Sequence, residues 1–216
     1  MRSCLPVFFA SIWMQSLLAA ELTVHVADQR GRVVADAIVT LTPRAGTELP
    51  AALQHPARTL TIDQKNETFI PYVEVFRPGD RVVFRNSDRT RHHVYSFATA
   101  AQFEFMLAPG ESSQPLQLDR TGVIATGCNI HDQMITYLFV TDAAVFARSD
   151  DSGRAHIASL PSGSFDVRVW QPLLRPGRDN VQTLTNVGGD TDKSLDFSLT
   201  LLPDPRAKID RERVGY

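Results

Sequence analysis

Three residues near the middle of the sequence have side chains that could together bind a metal ion. Within GCNIHDQM, Cys128, His131 and Met134 follow one another at spacings of three residues. Thiolate, imidazole and thioether groups are soft or borderline metal ligands, and two histidines, one cysteine and a weakly bound methionine form the ligand set of blue-copper electron-transfer sites. The segment therefore predicts part of a metal site, and the second histidine must come from elsewhere in the chain.

The adjacent residues His92 and His93 are the candidates for that second histidine. They stand at the start of a predicted strand, where neighbouring side chains point to opposite faces, so only one of them can face the ion. Zinc is the competing metal, because two histidines and a cysteine can hold it with water or a carboxylate as fourth ligand. Met134 and the higher affinity of a given site for Cu²⁺ than for Zn²⁺ favour copper.

Residues 1–20 have the layout of a secretory signal peptide. Arg2 precedes an apolar run that ends in small residues, which predicts cleavage near Ala20, a periplasmic or secreted protein and no membrane span after cleavage. Cys4 would leave with the signal, so Cys128 would be the one cysteine of the mature chain. Exported cysteines usually pair, so this one is either a buried inert thiol or a ligand, and its neighbours favour the ligand.

The composition indicates a protein made of β-strands. Thirteen prolines and twelve glycines separate short runs of Val, Ile, Phe and Thr, and no sustained helical periodicity is visible. Many short strands of this kind predict an all-β sandwich. We predict a hairpin over residues 22–43. The chain has slightly more acidic than basic residues and no long basic run, which argues against a nucleic-acid partner.

The metal-binding pattern resembles the cupredoxin family, plastocyanin and especially amicyanin. In that family an Asn stands about six residues before a His-Asn-Val sequence, and the other ligands lie on a late Cys-x-x-His loop that ends in Met. Here Asn86 precedes His92 by six residues, and the downstream loop matches the short amicyanin form. The resemblance implies a Greek-key β-sandwich over residues 59–141 and one copper ion, cycling between Cu(I) and Cu(II), held by His92, Cys128, His131 and Met134.

One position departs from the family pattern. His93 stands where the family has an Asn that helps to tie the two ligand loops together. This histidine could replace that hydrogen bond, compete as a ligand or lie at the surface, and we expect a supporting or surface role rather than ligation. Asn86 and Asp132 are the other candidates for a supporting role, and for Asp132, which could adjust the adjacent histidine or face a partner, an exposed loop position is the more common alternative.

The ends of the chain resemble a second kind of β-sandwich. Residues 21–45 and 144–202 are similar to a carboxypeptidase regulatory-like (transthyretin-like) domain, which implies one discontinuous domain with the cupredoxin inserted into it. The matching residues are Asp28, Gly31, Ala37, Val39, Leu41, Asp150 or Asp151, Gly153, Ile157, Leu160, Pro161, Gly163 and Phe165. The alternative is that residues 22–43 add strands to the cupredoxin. Residues 203–216 are expected to form a charged tail.

These features predict an electron carrier rather than an enzyme. The sequence shows no open coordination position with a general base beside it, so transfer of single electrons to and from a redox protein partner is favoured over catalysis. The whole chain also resembles exported plastocyanin-like proteins often labelled methylamine utilization protein, a label that reflects likeness to amicyanin. Two other hypotheses stay open: a copper-binding or delivery module, and a structural or ligand-binding sandwich.

Overall fold

The computed structural model describes residues 20–47, 56–160, 162–175, 181–187, 192–204 and 206. The predicted signal peptide, apart from Ala20, and most of the predicted charged tail lie outside these residues. The described residues form sixteen strands and no α-helix, so the all-β prediction is confirmed. None of them belongs to a helix long and apolar enough to cross a membrane.

The sixteen strands follow one another in chain order and are short, as the spacing of turn residues predicts. They are β1 (Ala20–Asp28), β2 (Ile38–Pro43), β3 (Thr59–Gln64), β4 (Phe69–Ile70), β5 (Val73–Phe76), β6 (Arg81–Asn86), β7 (His92–Ala98), β8 (Ala101–Leu107), β9 (Leu116–Gln117), β10 (Gly122–Cys128), β11 (Ile135–Val140), β12 (Val145–Arg148), β13 (Arg154–Leu160), β14 (Gly163–Trp170), β15 (Val181–Val187) and β16 (Lys193–Leu199).

These strands form four sheets. Sheet I has the order β13-β1-β16 and sheet II the order β12-β2-β14-β15, whereas sheet III has the order β4-β3-β6-β9 and sheet IV the order β5-β11-β10-β7-β8. Sheets I and II share one apolar core and are called here the flanking sandwich. Sheets III and IV share another core and are called the central sandwich.

The central sandwich owes its core to strands that alternate buried and more exposed residues. Strand β7 alternates from His92 through Val94 to Ser96, and β11 alternates from Thr136 through Leu138 to Val140. Because successive side chains of a strand point to opposite faces, the buried set of each strand faces the partner sheet. Phe84 of sheet III and Leu138 of sheet IV are fully buried between the two sheets.

The flanking sandwich joins the two ends of the described chain. Strand β1 pairs with β13 and in parallel with β16, and strand β2 pairs with β12 and β14. The hairpin predicted over residues 22–43 is therefore wrong, because β1 and β2 lie in different sheets. After a single bridge between Ala27 and Val33, the chain passes Asp36 in the left-handed region (φ 58°) and crosses to sheet II.

An apolar interface connects the two sandwiches. Trp170 of sheet II packs against Tyr137 and Phe139 of sheet IV, with ring centroids 6.1 and 4.9 Å apart. The guanidinium group of Arg77 donates to the carbonyl oxygens of Ala143 and Ala144, at 3.1 and 2.9 Å, where the chain leaves the central sandwich. These contacts hold the outer face of sheet IV against sheet II, and the core between sheets III and IV faces away from them.

Candidate metal centre

Cys128 ends strand β10 and is buried with 4% of its surface exposed. Strand β10 lies between β7 and β11 in sheet IV, and Cys128 pairs with Val94 of β7. This register brings the cysteine beside the first residues of β7, which begins at His92. The proximity of residues from two distant parts of the sequence is thus a consequence of strand pairing.

His92 is fully buried, and its ring lies between Cys128 and Asp88. The Nδ1 atom of His92 lies 3.6 Å from the Cys128 sulfur, and the Nε2 atom lies 2.9 Å from the Asp88 carboxylate. An ionised carboxylate can only accept a hydrogen bond, so Nε2 donates to Asp88, and in the neutral ring the lone pair of Nδ1 then faces the sulfur.

His131 approaches the same sulfur from the loop after β10. Its Nδ1 atom lies 3.9 Å from the Cys128 sulfur, and its ring centroid lies 5.1 Å from that of His92. The side chain is 20% exposed, and its Nε2 atom lies 3.8 Å from the Glu67 carboxylate. Of the three donor residues, His131 is the one that reaches solvent, because His92 and Cys128 are buried.

The three donor atoms fit one metal ion. The two imidazole nitrogens and the thiol sulfur all lie within 4.8 Å of one another. Two ligands of one ion, each bound at about 2.0–2.3 Å, have separations in this range. Both histidines turn Nδ1 toward the sulfur and have their outer nitrogens near carboxylates, an arrangement typical of metal-ligating histidines. The donor set of two nitrogens and one sulfur suits copper or zinc.

Met134 closes the loop that carries Cys128 and His131. Its backbone N–H donates to the carbonyl oxygen of His131 at 3.0 Å, and its own carbonyl oxygen accepts from the Cys128 N–H at 3.1 Å. The Met134 side chain is 2% exposed and belongs to the same apolar core as Cys128. The fourth residue of the predicted ligand set therefore lies at the buried end of the loop.

The three supporting residues predicted from the sequence have different environments. The Asn86 side chain is fully buried, accepts from the Asp88 N–H at 2.9 Å and donates to the carbonyl oxygens of Thr90 and Leu107. It therefore fixes the segment that leads into His92. Asp132 is exposed in the turn after His131.

His93 faces away from the three donor atoms, as alternation along β7 requires. Its Nε2 atom lies 2.5 Å from the Glu104 carboxylate on the neighbouring strand β8. Its backbone carbonyl oxygen accepts from the Asn129 N–H at 3.0 Å. The main chain of this residue thus ties β7 to the ligand loop, while its side chain lies on the outer face of sheet IV.

Two carboxylates behind the histidines, those of Asp88 and Glu67, were not predicted from the sequence. Burial acts to raise the pKa of Asp88, but hydrogen bonds from the Glu67 N–H, the His92 ring and the Asn66 N–H outweigh it and lower the pKa below its ordinary value. In the sequence, Asp88 has the appearance of a turn residue and Glu67 lies far from His131. Neither position carries a local signal for a contact that depends on the folded chain.

No family model matches the chain, and no curated protein matches it. Among solved structures, the chain is similar to a purple cupredoxin from Nitrosopumilus maritimus, with 17% identity, 38% of this chain and 98% of that chain covered, and a TM-score of 0.33. It is also similar to amicyanin from Paracoccus versutus, with 16% identity, 47% of this chain and 98% of that chain covered, and a TM-score of 0.35. Similarity at this level assigns no function to the chain.

Proposed function

We propose that this protein is an exported electron carrier with a single copper ion bound by His92, Cys128, His131 and Met134. The observation that supports the proposal is the convergence of two Nδ1 atoms and one sulfur within 4.8 Å at one end of the central sandwich. We further propose that the central sandwich is a cupredoxin domain and that the flanking sandwich is a carboxypeptidase regulatory-like domain. The first twenty residues would direct the chain to the periplasm.

Copper bound at this site would exchange single electrons as it cycles between Cu(I) and Cu(II). Electron exchange is fast when both oxidation states share one geometry, and this chain provides donors that the fold holds in place. Cys128 and His92 are buried on paired strands, and the loop between Cys128 and Met134 is closed by main-chain hydrogen bonds. Little rearrangement of these residues would accompany each electron.

The proposed ligands have distinct roles. The Cys128 sulfur would provide most of the electronic coupling to the metal, and the Met134 thioether, as a weak ligand, would adjust the reduction potential. Of the three donor residues, His131 is the one that reaches solvent, so a redox protein partner would exchange electrons through its ring. Zinc would satisfy the two nitrogens and the sulfur, but it has little affinity for a thioether.

Copper delivery is the second candidate function. A delivery module must release its ion to an acceptor, which is easiest when the ligands are exposed. Here two of the three converging donor residues are buried, and only His131 is partly exposed. This burial favours retention of the metal and therefore electron transfer.

Voltammetry of the copper-loaded mature protein tests the proposal, combined with a challenge by an excess of a Cu(I) chelator. An electron carrier gives a reversible one-electron wave and keeps its copper during many oxidation and reduction cycles. A delivery module loses Cu(I) to the chelator within the time of mixing. A structural sandwich binds no stoichiometric copper, and that result would contradict both metal-based functions.

A further inference from the structure

We infer that Asp88 positions both histidines of the proposed copper site, His92 by direct contact and His131 through the turn that carries Glu67. This inference rests on the proposed function, because it treats the two histidines as ligands. Asp88 itself is a positioning residue, since its carboxylate contacts the far side of the His92 ring, away from Cys128.

The direct contact fixes the His92 ring. The Asp88 carboxylate is 12% exposed and accepts a hydrogen bond from Nε2 of the fully buried ring at 2.9 Å. With the proton on Nε2, the lone pair of Nδ1 points at the Cys128 sulfur 3.6 Å away. A rotation of the ring, or a move of the proton from Nε2 to Nδ1 in the neutral ring, would break the Asp88 contact, so the carboxylate favours the orientation and tautomer of His92 that can bind a metal.

The same carboxylate holds a turn from another part of the chain. The backbone N–H groups of Asn66 and Glu67 donate to its two oxygens at 2.6 and 2.9 Å. Both residues are in the left-handed region, with φ angles of 55° and 53°. Asn adopts this conformation more readily than most residues other than glycine, whereas glutamate has no such preference. The two charge-assisted hydrogen bonds to Asp88 therefore stabilise a backbone conformation that is unfavourable for Glu67.

This turn brings Glu67 to the second histidine. The Glu67 carboxylate lies 3.8 Å from Nε2 of His131, whose Nδ1 faces the Cys128 sulfur. Each histidine thus has its inner nitrogen toward the sulfur and its outer nitrogen toward a carboxylate. Because Asp88 sets the conformation of the turn, a change at Asp88 should reach His131 without any contact between the two residues.

A purely structural role for Asp88 makes a different prediction. If the carboxylate only stabilised the turn at Asn66 and Glu67, its removal would lower the stability of the protein and leave the protonated nitrogen of each histidine unchanged. Long-range ¹H–¹⁵N NMR reports that nitrogen directly in the metal-free protein. The measurement does not depend on bound copper or on electron transfer.

The variants are Asp88→Ala and a matched control, Asp63→Ala. Asp63 connects the same two segments through a hydrogen bond from the Ser87 hydroxyl at 2.7 Å. In the wild type we expect His92 to be protonated only at Nε2. In Asp88→Ala we expect His92 to be a mixture of the form protonated at Nε2 and the form protonated at Nδ1, and we expect the ¹⁵N chemical shifts of the His131 ring to change. In Asp63→Ala we expect neither change. A change at His92 in Asp88→Ala without any change at His131 overturns the proposed coupling through the turn.

A second variant, Glu67→Ala, keeps the inference testable if Asp88→Ala does not fold. The Glu67 side chain is 45% exposed, so its loss should leave the fold intact. We expect the ¹⁵N chemical shifts of the His131 ring to change and those of the His92 ring to stay as in the wild type. Unchanged His131 nitrogens overturn the proposed link between Glu67 and His131.

Copper binding separates failure of this inference from failure of the proposed function. Loss of a residue that orients a metal ligand typically weakens metal affinity by about 10- to 100-fold, so Asp88→Ala should weaken Cu(II) binding by that factor in a competition titration. Tight binding by the wild type with an unchanged affinity in Asp88→Ala overturns the inference alone. Absence of copper binding in the wild type overturns the proposed function, and the NMR result still decides whether Asp88 orients His92.

Discussion

The Cys128 sulfur lies 3.6 Å from Nδ1 of His92, although the two residues are 36 positions apart in the sequence. The contact follows from the pairing of β10 with β7, in which Cys128 lies opposite Val94. Because both residues are buried, the thiol and the imidazole are held together by the sheet as well as by their own contact. This relationship is the basis of the proposed copper site and gives direct tests of it.

The adjacent histidines provide a matched pair of substitutions. His92→Gln removes a donor nitrogen that faces Cys128, whereas His93→Gln changes a ring that contacts Glu104 on the outer face of sheet IV. We expect Cu(II) affinity to fall by at least about 100-fold in His92→Gln and to stay unchanged in His93→Gln. Competition titration measures both affinities. Equal losses in the two variants would contradict the assignment of His92 as the ligand.

Asn86 supports the segment that leads into His92. Asn86→Ala leaves the buried carbonyl oxygen of Leu107, the carbonyl oxygen of Thr90 and the Asp88 N–H without their present partner. We expect the free energy of unfolding to fall by about 2–4 kcal/mol, as urea denaturation can measure. The exposed Asn129, changed to Ala, serves as the control and should have little effect. A loss below about 1 kcal/mol in Asn86→Ala would show that the loop does not depend on this side chain.

The buried Asp80 makes stability depend on pH. Burial acts to raise its pKa, but hydrogen bonds from the backbone N–H groups of Arg58 and Arg77 and from the Arg58 guanidinium outweigh burial and lower the pKa. In the unfolded chain the pKa returns to about 3.9. The stabilisation is therefore complete above about pH 4 and is lost as the pH falls through the lower pKa of the folded state.

Asp80→Asn tests this linkage. We expect the variant to lose about 1–3 kcal/mol of unfolding free energy at neutral pH and to show a shallower decline than the wild type below about pH 4. Urea denaturation at a series of pH values measures both effects. Asp119→Asn is the control, because Asp119 is exposed. If the unfolding free energies of the wild type and Asp80→Asn changed with pH in parallel, ionised Asp80 would not be the group that makes stability depend on pH.

Trp170 is central to the interface between the two sandwiches. Trp170→Ala removes its contacts with Tyr137 and Phe139, and because Trp170 is only half-buried, we expect a loss of about 2–3 kcal/mol in unfolding free energy. Trp170→Phe should retain most of the stability. Copper affinity should not change, because this interface is separate from the core that contains Cys128. A large change in affinity would show that the interface acts on the metal site.

The all-β class was predictable from the sequence because alternation is a local property. Strand β1 shows it directly, since Leu22, Val24 and Val26 are buried and Thr23 and His25 are more exposed. Pairing between strands is not local. The turn after Asp28 resembles a hairpin turn, yet both edges of β1 are occupied by β13 and β16, and β2 joins another sheet. The hairpin prediction failed because sequence proximity does not determine the partner of a strand.

The candidate site likewise has a part that was predictable from the sequence and a part that was not. The short loop with Cys128, His131 and Met134 could be identified because its donor types and spacing are unusual within one segment. Alternation along β7 could show that His92 and His93 face opposite sides, but not which of them faces Cys128. Asp88 and Glu67 were missed because their contacts with the histidines join three segments that meet only in the folded chain. Charged residues in turns are common, so their presence in the sequence carried no signal.

The most direct test of the proposed copper site is the visible absorption spectrum of the protein with an equimolar amount of Cu(II), measured beside Cys128→Ser. We expect an intense band in the wild type that is absent in the variant, because the band arises from the bond between copper and the cysteine thiolate. A colourless wild-type protein, or a band that persists in Cys128→Ser, would contradict the claim that Cys128 binds copper in this protein.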